Sequence, residues 1–198
     1  MVRWHDGLVA LCEAAKAARA DLPEVYREAD QAFAAADPLV VFSELRKCAN
    51  KGLQFIEWGS GIGTIAIMAD LLGYRAFGIE RDAGLAQVAK QLAERAGSRA
   101  SFGVGNFVPA GFKRIETPDV PPEFAISSGG PDGYAAISHK PDDFDVVYVF
   151  PHPELIDVVH ELFARTAKFG ARLLVYSQTM EVLTSIRGAK GATPLAPS

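Results

Sequence analysis

The segment Phe55-Ile56-Glu57-Trp58-Gly59-Ser60-Gly61-Ile62-Gly63 carries the most chemical information in the chain. An apolar run ends in an acidic residue, three glycines follow at alternate positions, and a helical pattern begins. Glycine permits positive φ and lets a ligand approach the backbone closely. The helix that follows offers unpaired N–H groups to an anionic or polar ligand. A second apolar run ends at Glu80, 17 residues after Gly63. A carboxylate there can accept hydrogen bonds from both hydroxyls of a ribose, and charged acceptors make the stronger bonds. Arg81 adjoins it. Asn106 and Phe107 follow a third run, with Asn106 26 residues beyond Glu80. A fourth run closes in Tyr148-Val149-Phe150-Pro151-His152-Pro153-Glu154. Its aromatics could hold a sulfonium or methylammonium by cation–π attraction. His152 is a candidate base, the usual role of a histidine near neutral pH.

The elements that must position these residues alternate. Strands are expected at Leu53–Trp58, Arg75–Glu80, Ala100–Val104, Phe144–Phe150 and Ala171–Tyr176. Helices are expected at Ile62–Leu72, Gly84–Ala96 and Glu154–Lys168, with Asp82 capping the second. Val146–Phe150 and Leu173–Tyr176 are continuous apolar runs, as strands buried on both faces are. Such β-α-β units build a doubly wound parallel sheet. Ligands then sit beyond the carboxyl ends of the strands at the topological switch point, where the glycine loop would lie.

Before residue 50 the pattern is all helical. Leu8, Leu11, Cys12, Ala15 and Ala18 recur at helical spacing. Asp21 and Pro23 signal a second helix carrying Val25, Ala29 and Phe33. Asp37-Pro38 opens a third, with Val41, Leu45 and Cys48 on its apolar stripe. The domain reading is a helical cap at 1–50, an α/β domain at 51–187 and a flexible tail at 188–198. Residues 107–142 interrupt the α/β rhythm with six prolines and four glycines. A stretch this long without periodicity is uncommon in a compact domain and often serves function.

Two ligand classes compete for the glycine loop. A dinucleotide loop reads G-x-G-x-x-G/A, and from Gly59 its last position falls on Thr64, so that match fails. The sequence present, E-x-G-x-G-x-G, resembles motif I of the class I S-adenosylmethionine-dependent methyltransferases. The resemblance covers about residues 53–176. It implies a Rossmann-like, mostly parallel sheet, here expected in a shortened form of about five to six strands because only 22 residues follow Tyr176. It implies S-adenosyl-L-methionine as cofactor, held by Glu57, Gly59, Ser60, Gly61, Gly63, Glu80, Arg81, Asn106, Phe107 and Phe150. In that family the glycine loop wraps the methionine part, the second acidic residue holds the ribose and an amide at Asn106 meets the adenine. The fourth strand end lines the site where acceptor meets methyl group, which makes His152 and Tyr148 the candidate catalytic residues. Phe-Pro-His-Pro departs there from the Asp/Asn-Pro-Pro-aromatic sequence of the branch that methylates adenine and cytosine nitrogens. The acceptor, a small molecule or a protein side chain, is not named by any motif. A non-enzymatic ligand- or partner-binding protein and a nicotinamide-dependent oxidoreductase are the competing readings.

Composition bounds the partners. The formal charge is −4, from 20 basic and 24 acidic residues, which argues against a general nucleic-acid binder. No apolar stretch approaches the ~20 residues of a membrane span, so no membrane association is expected. Cys12 and Cys48 form no C-x-x-C and no zinc pattern, and a reduced cytoplasmic protein is the simple reading. His5, His139 and His160 lack ligand spacing. Lys113-Arg114 reads as a solvated pair.

Overall fold

The computed structural model describes residues 3–24, 36–49, 52–110, 112, 120, 125–126, 129–188 and 191–194. The expected second helix, with Val25, Ala29 and Phe33, and the Lys113-Arg114 pair lie outside the described residues.

Helices α1 (Arg3–Ala20) and α2 (Pro38–Cys48) precede the sheet. Asp37 caps α2 by accepting the Leu39 N–H at 2.8 Å, with Pro38 at the first helical position, as the sequence predicts. Then come β1 (Gln54–Trp58), α3 (Thr64–Leu71), β2 (Arg75–Glu80), α4 (Ala83–Arg95) and β3 (Ser101–Val104). A short α5 (Gly133–Ala136) lies in the proline-rich segment. The chain continues through β4 (Val146–Val149), α6 (Ile156–Thr166) and β5 (Arg172–Tyr176). Asp82 caps α4, accepting from Leu85 N–H at 2.9 Å.

The strand order is β3-β2-β1-β4-β5-β6-β7, and the first five are parallel. Chain direction across the sheet reverses between β1 and β4, which is the switch point. The sheet has seven strands where five or six are expected. Beyond β5 the chain forms an antiparallel hairpin, β6 (Val182–Gly188) and β7 (Gly191–Pro194). β7 falls inside the segment read as tail. Its glycine and proline content gives no alternating apolar signal, and Pro194 stands on an edge strand, where the missing N–H is tolerated.

Each face of the sheet buries its own core. On one, Phe55, Val146, Tyr148 and Leu174 pack against Leu11 of α1, Leu45 of α2, Ile67 of α3 and Leu92 of α4. On the other, Ile56, Trp58, Val147 and Val149 pack against Tyr134 of α5 and Val159, Leu162 and Phe163 of α6. The split follows from the two-residue period of a strand. It also decides which residues reach the site. The Tyr74 hydroxyl donates to the Leu45 carbonyl at 2.8 Å, tying the last turn of α2 to the loop before β2.

Candidate functional site

β1 ends at Trp58, and the chain turns sharply through Gly59, Gly61 and Gly63, all at positive φ (68°, 52° and 77°). The turn is pinned to the neighbouring strand: the Gly59 and Ser60 N–H groups both donate to the Ile79 carbonyl, at 2.9 and 3.0 Å. The glycines serve different needs. A Cβ at Gly59 or Gly61 would meet no heavy atom within 4 Å, so these two leave open room. A Cβ at Gly63 would stand 2.4 Å from the Phe102 ring and 2.9 Å from Ala89. Packing of α3 against Phe102 and Ala89 alone requires glycine at position 63. Ser60 is likewise buried against Gly78, where an added Cβ would lie 2.7 Å from its side chain. The Ser60 hydroxyl has no hydrogen-bond partner among the described residues.

The two acidic residues divide similarly. Glu80 closes β2 at the edge of a cavity of about 580 Å³. Its Oε2 accepts the Gly61 N–H at 2.8 Å and its Oε1 the Asp82 N–H at 3.0 Å. The carboxylate therefore fixes the glycine turn and the start of α4 together. Two lone-pair positions remain on a carboxylate holding two bonds, enough for a pair of vicinal hydroxyls. Glu57 points to the opposite face. It is buried, and its Oε2 accepts the Ala66 N–H of α3 at 2.9 Å. Gly63, at the N-cap, has no side chain to cap α3, and Glu57 supplies that function from β1. Burial, helped by the nearby Glu80 charge, pushes its carboxyl up to about 8, against the pull of Ala66 N–H and Arg19. Glu57 is not among the residues that line the cavity.

The cavity brings together Gly59, Glu80, Arg81, Asn106, Phe107, Phe150 and His152. Trp58 and Phe107 stack on its wall, ring centroids 5.2 Å apart and planes 6° from parallel. Phe150 meets Tyr176 edge to face at 4.8 Å. Asn106 does more than the sequence shows. Its Oδ1 accepts the Val108 N–H and its Nδ2 donates to the Gly129 carbonyl, both at 2.9 Å. Its backbone N–H donates to Pro131 carbonyl at 2.8 Å and its carbonyl accepts from Gly133 N–H at 3.0 Å. Asn106 thereby closes the long segment back onto the β3 end, and Gly129, Gly130 and Pro131 join the cavity wall. Only the glycine and proline content of that segment hints at this.

Tyr148 is not in the cavity. It stands opposite Glu57 in the β1–β4 register, on the α1–α4 face, and is 2% exposed. Burial pushes its phenol well above the ordinary value, so it offers no phenolate near neutrality. The strand period explains the correction: Val149, one residue on, faces the cavity. His152 does line it. Pro151 and Pro153 flank the histidine, and proline's fixed φ limits the freedom of that turn. His139, by contrast, packs against Phe77 at 4.3 Å between ring centroids.

Among the described residues no helix is long and apolar enough to cross a membrane. No protein-family model matches the sequence, and no curated protein matches it. Solved structures do match. The cofactor-bound crystal structure of Rv0187 from MTB superposes with a TM-score of 0.51 at 20% identity, over 86% of this chain and 64% of that one. An RNA methyltransferase from Salinibacter ruber, in complex with S-adenosyl-L-homocysteine, gives 0.49 at 18% identity over 71% and 76%. An S-adenosylmethionine-dependent methyltransferase from Thiobacillus denitrificans, also with S-adenosyl-L-homocysteine, gives 0.49 at 16% over 78% and 55%. The chain thus spans about three quarters of the Salinibacter protein and less than two thirds of the other two. At these identities the likeness is one of fold: the chain shares a Rossmann-like, mostly parallel α/β fold with the Rv0187 structure.

Proposed function

We propose that the chain binds S-adenosyl-L-methionine in the cavity at the switch point and directs its methyl group to an acceptor held at the β4 end. The observation that carries this reading is Glu80. Its two oxygens are fixed by backbone donors of the glycine turn and of α4, and its remaining lone pairs border the cavity. The residues fit the cofactor on other counts. Gly59 and Gly61 leave the space a side chain would fill, and Leu85, Phe107 and Val149 give the cavity an apolar wall. The cofactor supplies an electrophilic methyl group on a positively charged sulfur, so the protein's share is alignment and exclusion of water. Arg81 and Asn106 flank the end nearer β3. Phe150 and His152 are the groups that the β4 end presents to an acceptor, with His152 placed to receive its proton. The acceptor is a small molecule or a protein side chain.

Calorimetric titration of the full chain with S-adenosylmethionine, S-adenosylhomocysteine and NAD tests this. Binding of the first two and none of the third is expected. Glu80→Ala should weaken binding about 10- to 100-fold, the ~1.5–3 kcal/mol of hydrogen bonds to a charged group. Glu80→Gln, which keeps one acceptor oxygen for the backbone, should fall between. NAD binding alone would overturn the reading.

A further inference from the structure

A second cavity, of about 340 Å³, opens beneath α1, where the glycine turn passes into α3. Lys16 and Arg19 of α1, Asp37 at the start of α2 and Thr64 at the start of α3 line it. Three observations make it a site for an anionic group. First, Lys16 and Arg19 lie three residues apart and so share a helix face. Among the described residues neither forms an ion pair. Second, Thr64 is 6% exposed, lines the cavity, and its Oγ1 has no hydrogen-bond partner among the described residues. A buried hydroxyl left this way is costly unless a ligand meets it. Third, Thr64 opens α3, whose first N–H groups helix geometry leaves over and whose dipole favours negative charge. Glu57, which accepts the Ala66 N–H nearby, is largely uncharged near neutrality and repels an anion little. Asp37, whose carboxylate accepts the Leu39 N–H, also lines the cavity, and the two cations of α1 outnumber it.

We infer that this second cavity binds the carboxylate or phosphate of the small molecule that the neighbouring site methylates. The same stretch of chain runs from one cavity to the other: Gly59 borders the first, and Thr64, five residues on, borders the second. An acceptor anchored by its anionic end against Arg19, Lys16 and Thr64 is held next to the turn that cradles the cofactor. The acceptor clause rests on the methyl-transfer reading; the anion site does not.

The test uses the full chain with succinate and inorganic phosphate as probes, read by calorimetry and thermal shift, and S-adenosylhomocysteine in parallel. At least one anion should bind the wild-type chain and raise its Tm. Arg19→Gln, at a half-exposed position, should weaken that binding tenfold or more and leave S-adenosylhomocysteine affinity within twofold. Thr64→Val should weaken it too. Absence of anion binding, or equal binding by Arg19→Gln, overturns the site. Competition between the anion and S-adenosylhomocysteine, with both lost in Arg19→Gln, assigns the cavity to the cofactor's own carboxylate and overturns the acceptor clause. Anion binding without any S-adenosylhomocysteine binding defeats the methyl-transfer reading and leaves the anion site standing.

Discussion

Glu57, one residue before the end of β1, and Glu80, the last residue of β2, do opposite work. Glu80 is held at the cavity by two backbone donors, whereas Glu57 is sealed under α3. The sealed proton has a measurable effect. The folded pKa of Glu57, about 8, lies above its unfolded value of 4.5. Its contribution to stability is therefore fully present below about pH 4.5 and lost as pH rises through about 8. In that window the folded chain holds a proton that the unfolded chain has released, and the slope is at most about 1.4 kcal/mol per pH unit. Glu57→Gln should flatten the decline in denaturation midpoint between those limits; an unchanged slope would show that Glu57 is charged in the folded chain. The glycines separate in the same manner. Gly61→Ala has room for its methyl and meets only left-handed strain, about 1–2 kcal/mol. Gly63→Ala adds a collision with Phe102 and Ala89. The larger loss of Tm belongs to Gly63→Ala, and equal losses would remove its packing role.

At the scale of elements, the parallel strands were legible because burial on both faces leaves continuous apolar runs, as in Val146–Val149. The caps Asp37 and Asp82 were legible because a short acidic side chain before a helix has few other uses. The hairpin was not. Val182–Gly188 is only half-buried along most of its length, so its composition does not report the pairing. Glu80 and the open glycines could be read from spacing, since a ligand's needs at a strand end are local. Tyr148 could not, because its face depends on register, and the pairing with Glu57 exists only in the folded sheet. Asn106 matched in place, yet its bonds to Gly129, Pro131 and Gly133 cross a long stretch of sequence and leave no periodic trace. Two variants probe the joints between elements. Tyr74→Phe strips the Leu45 carbonyl of its donor and should cost about 1–3 kcal/mol in chemical denaturation. Ser185 in β6 is 1% exposed with an unpartnered Oγ among the described residues. Ser185→Ala should leave stability unchanged or raise it, and a clear loss would reveal a partner for that hydroxyl.

Over the whole molecule, one cavity opens at the reversal of strand order and the second beneath α1, and the seven-stranded sheet serves as their frame. The closure made by Asn106 has a consequence for how such a chain can diversify. The backbone leaves β3 and returns through Pro131 and Gly133 to within a hydrogen bond of where it left. A stretch whose ends are stapled can lengthen at little cost, since doubling a loop adds only about 0.6 kcal/mol of closure entropy. The chain between the staples can therefore change in length, provided Phe107 and Val108 keep their packing. Glu80 and the glycine turn stay as they are when it does, so the rim of the cavity can be reshaped without disturbing the strand ends beneath it.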